Sequence, residues 1–248
     1  MIEKKDIVYN KHEQLLDVYL PQNMKIDAIF LYFHGGGIES GSKDGCTLFA
    51  KYLTERNIAV VCANYRMYPK AQFPDFLEDA ADAVAWILNN KEIFFGCNNV
   101  FVGGSSAGGY ISMMLCFDNR YLEKHNIKPT DITGYIHDSG QPTDHYNILK
   151  YSGIDSRRVI VDERAPLYFV GLQERYSPML FLVSDNDMQN RYEQTMLMLS
   201  TLKHFGYDKT KIKFNLMHGT HCSHCSATDE NGESVFGKIL FDYISEIL

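Results

Sequence analysis

Short, almost unbroken apolar runs recur along the chain, at 28–33 (AIFLYF), 58–62 and 179–183. Such runs are expected of strands buried on both faces of a sheet. Between them lie longer segments with apolar residues three and four places apart. Phe76, Ala80, Val84 and Ile87 follow Pro74, and Phe236, Leu240, Ile244 and Leu248 close the chain. That spacing predicts helices with one buried face, the first opened by its proline. Further strands are predicted at 132–137 and 213–217, and further helices at 47–56 and 191–205. Near the start, Ile7-Val8-Tyr9 and the run 15–20 are split by Asn10-Lys11-His12, which predicts an antiparallel hairpin at a sheet edge. From residue 28 onward strands alternate with helices. The fold class is therefore α/β, a mostly parallel sheet with helices on both faces. No repeat, low-complexity tract or linker interrupts the pattern, so one domain is expected over 1–248. The stretch 141–177 is less regular and rich in aromatics, and is the place for a small lid insertion.

Composition narrows this picture. With 45% hydrophobic and 22% charged residues the chain has ordinary globular material. A formal charge of −7 argues against nucleic acid or an anionic membrane as partner. No apolar segment approaches the roughly 20 residues of a membrane helix. The charged opening, Met1 to Asp6, shows no signal peptide, so a soluble, cytoplasmic protein is expected. Of the six cysteines, Cys62 and Cys116 lie in apolar segments and read as small buried hydrophobes. No disulfide framework is expected in that compartment.

The candidate chemistry centres on Val100 to Gly109, VFVGGSSAGG, which leads into a helical segment over 110–118. Gly104, Ser106 and Gly108 fit the pattern G-x-S-x-G where a strand turns sharply into a helix. A serine there sits at a strained turn, and glycines on either side let strand and helix pass closely. Alone, the motif is equally a glycine-rich turn with a capping serine. Other strand ends supply partners: His34-Gly35-Gly36-Gly37 after one strand, Asp187 after another and His221 after the last. In open α/β sheets ligands bind beyond these ends. The order Ser, Asp, His along the chain is that of one hydrolase architecture among several with such a triad.

On these residues, with Asn64-Tyr65-Arg66-Met67-Tyr68-Pro69, Phe73-Pro74 and Leu77-Glu78-Asp79-Ala80, the chain resembles the α/β-hydrolase superfamily. Within it the similarity is to small HGGG-type carboxylesterases of the hormone-sensitive-lipase and acetyl-esterase groups. Larger members carry an N-terminal helical cap, for which the some 27 residues before the HGGG strand leave little room. The resemblance implies Ser106 as nucleophile, the N–H groups of Gly36, Gly37 and Ala107 as oxyanion hole, and His34 as loop support. Asp187 is favoured as the acid over Asp138 and Asp185, and His221 as the base over His218 and His224. His218 is expected to brace the loop, with the chain turning at Gly219 and Thr220, and His224 to face solvent. Glu39, Lys43 and Asp44 read as solvated loop charges, and Tyr110 as packing for the first turn of the helix after Ser106.

The cluster His218, His221, Cys222, His224 and Cys225 also offers zinc ligands. A second, separated ligand pair is missing from the spacing, and no metal or cofactor is expected. The implied activity is hydrolysis of small, short-acyl esters, with acetyl esters among them. An arylformamidase-like amidase and a non-catalytic hydrolase-fold binding module are the alternatives. The expected partner is a small-molecule ester, and a homodimer is left open by the aromatics of 141–177.

Overall fold

The computed structural model describes residues 1–248. Strands β1 (Ile2–Val8), β2 (Leu15–Leu20), β3 (Ala28–Phe33), β4 (Ile58–Ala63), β5 (Val100–Ser105), β6 (Gly134–Asp138), β7 (Met179–Asn186) and β8 (Ile212–Thr220) form one sheet. Their spatial order is β1-β2-β4-β3-β5-β6-β7-β8. The hairpin β1–β2 is antiparallel, as is β2 on β4, and every pairing from β4 through β3 to β8 is parallel. Helices are α1 (Thr47–Thr54), α2 (Asp75–Asn89), α3 (Ala107–Phe117), α4 (Asn119–Leu122), α5 (Tyr146–Tyr151), α6 (Arg191–His204) and α7 (Val235–Ile247). None is long and apolar enough to cross a membrane.

Period-two alternation splits each apolar run between two cores. In β3, Ile29, Leu31 and Phe33 join the larger core, beside Phe76, Val84 and Ile87 of α2 and Ile111 of α3. Ala28, Phe30 and Tyr32 face the smaller core, with Phe49 and Leu53 of α1 and Phe236, Leu240 and Ile244 of α7. Helices therefore cover both faces, and all strand C-termini from β3 to β8 open on one edge.

Several expectations need correction. Strand β8 continues through His218, Gly219 and Thr220 instead of turning at the last two, because β7 pairs with it as far as Asn186 opposite Thr220. Leu248 lies beyond α7 and is 53% exposed, so the buried face of α7 ends at Ile244. Cys62 is not a lone apolar filler: it forms a disulfide with Cys46 inside the smaller core. Lys43 is no solvated charge either. Its ammonium is buried between Asp6 at 2.8 Å and the fully buried Asp17 at 3.0 Å, with Asp44 at the rim. Asp17 also meets Lys5. A carboxylate turned inward on β2 needs such partners, since an unpaired buried charge is costly.

The tightest place in the fold is where α3 leaves β5. A Cβ on Gly108 would overlap the carbonyl oxygen of Phe33, and one on Gly104 would stand 2.5 Å from that oxygen. Gly108→Ala should thus lower the urea unfolding midpoint markedly, by the overpacking cost of about 1–3 kcal/mol or more. Gly45→Ala, at a glycine with open space around it, should leave the midpoint unchanged. Equal midpoints for the two variants would show that the crossing tolerates side chains.

Candidate active site

Ser106 sits between β5 and α3 with φ 56° and ψ −114°, a region β-carbon-bearing residues seldom occupy. Its N–H donates to Asp138 O at 2.8 Å and its carbonyl accepts from Tyr110 N at 3.0 Å, so both backbone polar groups of the strained residue are satisfied. The side chain is left pointing out of the turn at the first N–H groups of α3. Those of Ala107 and its successors have no acceptor within the helix. Ser105, by contrast, points inward and is buried. Its hydroxyl lies 3.3 Å from Cys225 Sγ.

The three candidate acids and three candidate bases sort into three separate pairs. His218 Nδ1 lies 2.7 Å from Asp185 Oδ2, with the imidazole 89% exposed. Asp185 also accepts from Gly219 N. This pair stands on the outside of the β7–β8 edge and touches no serine. His224 is the reverse of the expected solvent-facing residue: it is 4% exposed, and its Nε2 lies 3.0 Å from Asp138 Oδ1. Cys225 Sγ donates to the other carboxylate oxygen at 3.2 Å. Cys222, in the left-handed conformation with φ 52°, opens the single turn that folds His224 back beneath the loop. Only the third pair reaches Ser106. His221 Nδ1 donates to Asp187 Oδ1 at 2.5 Å, and His221 Nε2 accepts from Ser106 Oγ at 2.8 Å. The carboxylate partner assigns the proton to Nδ1 and leaves Nε2 as the acceptor.

Asp187 is almost wholly enclosed, its side chain 1% exposed. Burial pushes its carboxyl up, but the histidine and the Ser139 hydroxyl hold it below the usual range. Ser139 Oγ donates to Oδ2 at 2.8 Å, Ser184 N to the same oxygen at 3.2 Å and Met188 N to Oδ1 at 2.7 Å. Burial works against a charged His221, yet the Asp187 bond and Cys222, whose Sγ lies 3.8 Å from Nε2, lift the imidazole to about 9.

The loop His34–Gly37 crosses in front of this line. An added Cβ on Gly35 would stand 3.2 Å from Ser106 Cβ, which measures how closely the loop backbone abuts the serine. Its amides are aimed by their carbonyls. His34 Nδ1 donates to Gly35 O at 2.7 Å, and Glu39 N and Ser40 N donate to Gly36 O at 3.1 and 3.0 Å. In a trans peptide the N–H points opposite to the C=O. Holding those two oxygens therefore turns the N–H groups of Gly36 and Gly37 the other way, and no backbone acceptor takes either one. Gly36 and Gly37 have φ of 102° and 67°, which only glycine adopts freely. His34 is buried, stacked on Tyr65 with ring centroids 4.4 Å apart, and burial depresses its pKa. Tyr65 OH donates to His34 O at 2.8 Å.

Sequence reasoning missed three contributors. Asn147 of α5 donates to Gly37 O at 2.6 Å and to Glu39 at 2.9 Å. That ties the stretch 141–177 to the glycine loop, and the stacking of Tyr151 on Tyr68 at 4.0 Å ties it to the segment after β4. Ser139, with φ 47°, orients Asp187. Arg191 of α6 donates to Ser139 O at 2.5 Å. Each acts across a large sequence separation, and no local pattern marks it. Tyr110 is buried as expected and reaches further, its hydroxyl donating to Arg164 O at 2.6 Å. For metal, the cysteine–histidine cluster does not converge as the zinc alternative requires. Cys222 faces His221, while Asp138, His224 and Cys225 bring ligand atoms within 4.8 Å of one another. His224 Nε2 and Cys225 Sγ are each engaged by the Asp138 carboxylate.

Comparison with known proteins places this fold in a family. A profile of the alpha/beta hydrolase fold matches residues 30–196, and the chain belongs to that family. An isoprenylcysteine alpha-carbonyl methylesterase of Arabidopsis thaliana is 32% identical over 112 residues, 44% of this chain and 26% of that protein. The carboxylic ester hydrolase LipN of Mycobacterium tuberculosis is 29% identical over 124 residues, 48% of this chain and 32% of that protein. The chain thus spans about a quarter to a third of these relatives' length. Among solved structures, a truncated carbohydrate esterase from gut microbiota superposes with a TM-score of 0.78 at 18% identity, covering 100% of this chain and 96% of that one. A thermophilic esterase of Thermogutta terrifontis gives 0.75 at 16% identity, covering 99% and 92%. At such identities the likeness is one of fold.

The contrast between the pairs makes a stability prediction. His224→Ala leaves the Asp138 carboxylate buried without its histidine and should cost about 3–5 kcal/mol, the usual loss on breaking a buried pair. His218→Ala removes half of an exposed pair and should not move the urea midpoint measurably. If His224→Ala unfolds at the wild-type midpoint, the inner pair is not a brace.

Proposed function

We propose that this chain is a serine esterase that hydrolyses small carboxylic esters through an acyl-enzyme. The observation that carries the reading is the unbroken line from Asp187 through His221 to Ser106 Oγ, at 2.5 and 2.8 Å, beside a glycine loop with free amides. The match to ester-hydrolysing relatives by name supports the same bond class.

In this reading Ser106 Oγ attacks the ester carbonyl as His221 Nε2 takes its proton. Asp187 keeps the imidazole in the Nδ1–H tautomer and stabilises the imidazolium that forms. The oxyanion of the tetrahedral intermediate falls to the N–H groups of Gly36, Gly37 and Ala107. These cost no reorganisation because their peptides are already held. The imidazolium then returns the proton to the departing alcohol, and a water, activated by the same nitrogen, releases the acid. His34 serves as a positioning residue that aims Gly36 N–H through Gly35 O. No step calls on a metal or cofactor. The segment 141–177, tied down by Asn147, Tyr151 and Tyr110, acts as a fixed rim instead of a mobile lid and favours short acyl groups.

An organophosphonate should add once, to the peptide holding Ser106, by intact-mass and peptide mapping. Ser106→Ala should abolish both the adduct and turnover of 4-nitrophenyl acetate. A label on Ser105, or none, would sink the assignment.

The pH profile has a definite sign. The base must be neutral, and a pKa raised to about 9 means that the competent fraction grows as pH rises through that value. kcat/KM should therefore climb from pH 6 to a plateau above about pH 9. Asp187→Asn should lower kcat by roughly 10⁴, as for the corresponding acid in serine proteases, and shift the residual acid limb downward, because the charge that raised the imidazole is gone. An acid limb that stays put in Asp187→Asn would assign the limb to another group.

His34→Ala should lower kcat with little change in KM, since it disturbs an amide that meets charge only in the transition state. A loss of about tenfold or more, measured on 4-nitrophenyl acetate, is expected. An unchanged kcat would show that the loop holds Gly36 without it.

A further inference from the structure

Beside the candidate triad lies a cavity of about 410 Å³, walled by α6, the loop after Asp187 and the segment 141–159. Tyr146 borders it, and a Cβ on Gly37 would stand 2.5 Å from the Tyr146 hydroxyl. Tyr146 thus spans from the cavity wall to Gly37, and Met188 of the same wall follows Asp187 directly in the chain. The cavity's charge is unlike that of the chain. The protein carries 31 acidic and 24 basic residues, yet the cavity wall holds Arg157, Arg158 and Arg191 and no Asp or Glu. Arg157 has its own counter-ion, Asp155 at 2.6 Å. Arg158 is exposed and forms no ion pair within the chain.

Arg191 is more unusual. It is only 3% exposed, and no carboxylate lies within ion-pair distance. Its partners are two neutral acceptors, Ser139 O at 2.5 Å and Gln141 Oε1 at 3.4 Å. A buried cation with no direct counter-ion is costly, and burial pulls the guanidinium below its ordinary value, offset only in part by the Asp187 carboxylate beyond ion-pair distance. A second, independent irregularity adjoins it one helical turn along. Gln194 is 9% exposed, lines the same cavity, and its Oε1 has no hydrogen-bond partner. An amide oxygen left unpaired in a cavity wall is free to accept a hydrogen bond from a ligand donor.

We propose that this cavity is an anion subsite: the ester this enzyme cleaves carries a carboxylate or a comparable oxyanion, received by Arg191 and Arg158, with a hydroxyl or N–H donor beside it for Gln194 Oε1. The proposal rests on the esterase reading and sharpens its substrate class. A planar guanidinium suits a carboxylate by parallel hydrogen bonds, which a lysine would not reproduce. Because the net charge of −7 repels anions at long range, a preference for an anionic ester has to come from local cations such as these two.

The test compares carboxylate esters with their isosteric carboxamides, on each side of the scissile bond. On the acyl side, the 4-nitrophenyl ester of glutaric acid is set against that of glutaramic acid. On the alcohol side, 3-carboxyphenyl acetate is set against 3-carbamoylphenyl acetate. The readout is the ratio of kcat/KM for carboxylate over carboxamide. In the wild type the ratio should be tenfold or more on one side, which locates the anion in the acid or the alcohol. It should fall toward one in Arg158→Gln and with rising ionic strength.

Arg191→Lys keeps the charge but not the fork, and should also cut the ratio. Because Arg191 holds Ser139, its overall rate will fall as well, which is why the ratio is the measure. Calorimetry on Ser106→Ala gives a readout free of turnover: glutarate should bind, and at least tenfold more weakly when Arg158→Gln is added. Ratios at or below one on both sides, or a ratio indifferent to both arginine substitutions, would overturn the subsite while leaving the esterase reading intact. Failure to cleave any of the four esters would count against the esterase reading. Glutarate binding would then decide the subsite by itself.

Discussion

One steric constraint sets the geometry on which everything else depends. β3, β5 and the start of α3 approach so closely that neither Gly104 nor Gly108 has room for a side chain against the Phe33 carbonyl. The sharp turn this requires forces Ser106 to a positive φ. That strained residue is held because Asp138 O and Tyr110 N satisfy the Ser106 backbone. Strain of this kind persists only where the surroundings over-determine it. Here the surroundings are two strands and a helix in which every residue is buried. The same crowding brings the loop after β3 against Ser106, so the amides of Gly36 and Gly37 come from the very approach that exposes the hydroxyl.

Above that turn, function is separated from support by charge pairing. Three histidines at three-residue intervals, His218, His221 and His224, each take a different aspartate. The inner pair with Asp138 anchors the loop from below, where a broken pair would leave a charge in a dry site. The outer pair with Asp185 lies in water and contributes little. The middle pair is enclosed on the carboxylate side and open on the imidazole side, with His221 23% exposed and Asp187 1%. In the proposed mechanism that asymmetry keeps Asp187 ionised and leaves His221 within reach of an incoming ester.

The parts of this arrangement that could be read from the sequence are those encoded locally. The run AIFLYF declares a strand buried on both faces because alternate residues enter different cores. The spacing Gly104-Ser106-Gly108 declares a turn because the contact it relieves lies a few residues away. That His221, and not its neighbours, meets Asp187 and Ser106 follows from its place just past β8, reached along a continued strand and not through a turn at Gly219. What stayed hidden depends on partners distant in sequence. Nothing near His224 announces Asp138, 86 residues earlier. Lys43 looks like a solvated loop charge until β2 turns Asp17 inward beside it. Cys46 and Cys62 meet only because α1 and β4 border the same core. Asn147, 110 residues after Gly37, belongs to a stretch with no periodic signal at all.

A last consequence concerns why a guanidinium stands so near the candidate acid without touching it. Arg191 donates to Ser139 O, and Ser139 Oγ donates to Asp187 Oδ2, so a neutral hydroxyl separates cation from carboxylate. Had Arg191 paired directly with Asp187, the carboxylate would have been neutralised by the stronger partner. His221 would then have lost much of the charge that raises its basicity. With the serine interposed, Asp187 keeps its negative charge for the imidazole, and Ser139 is held in its left-handed backbone by bonds at both ends, to Leu182 O and from Arg191. The guanidinium, relieved of any carboxylate, retains its full positive charge on the side that faces the cavity. A single insertion of one hydroxyl thus serves both the base that would take the serine's proton and the cation that would hold the substrate's anion.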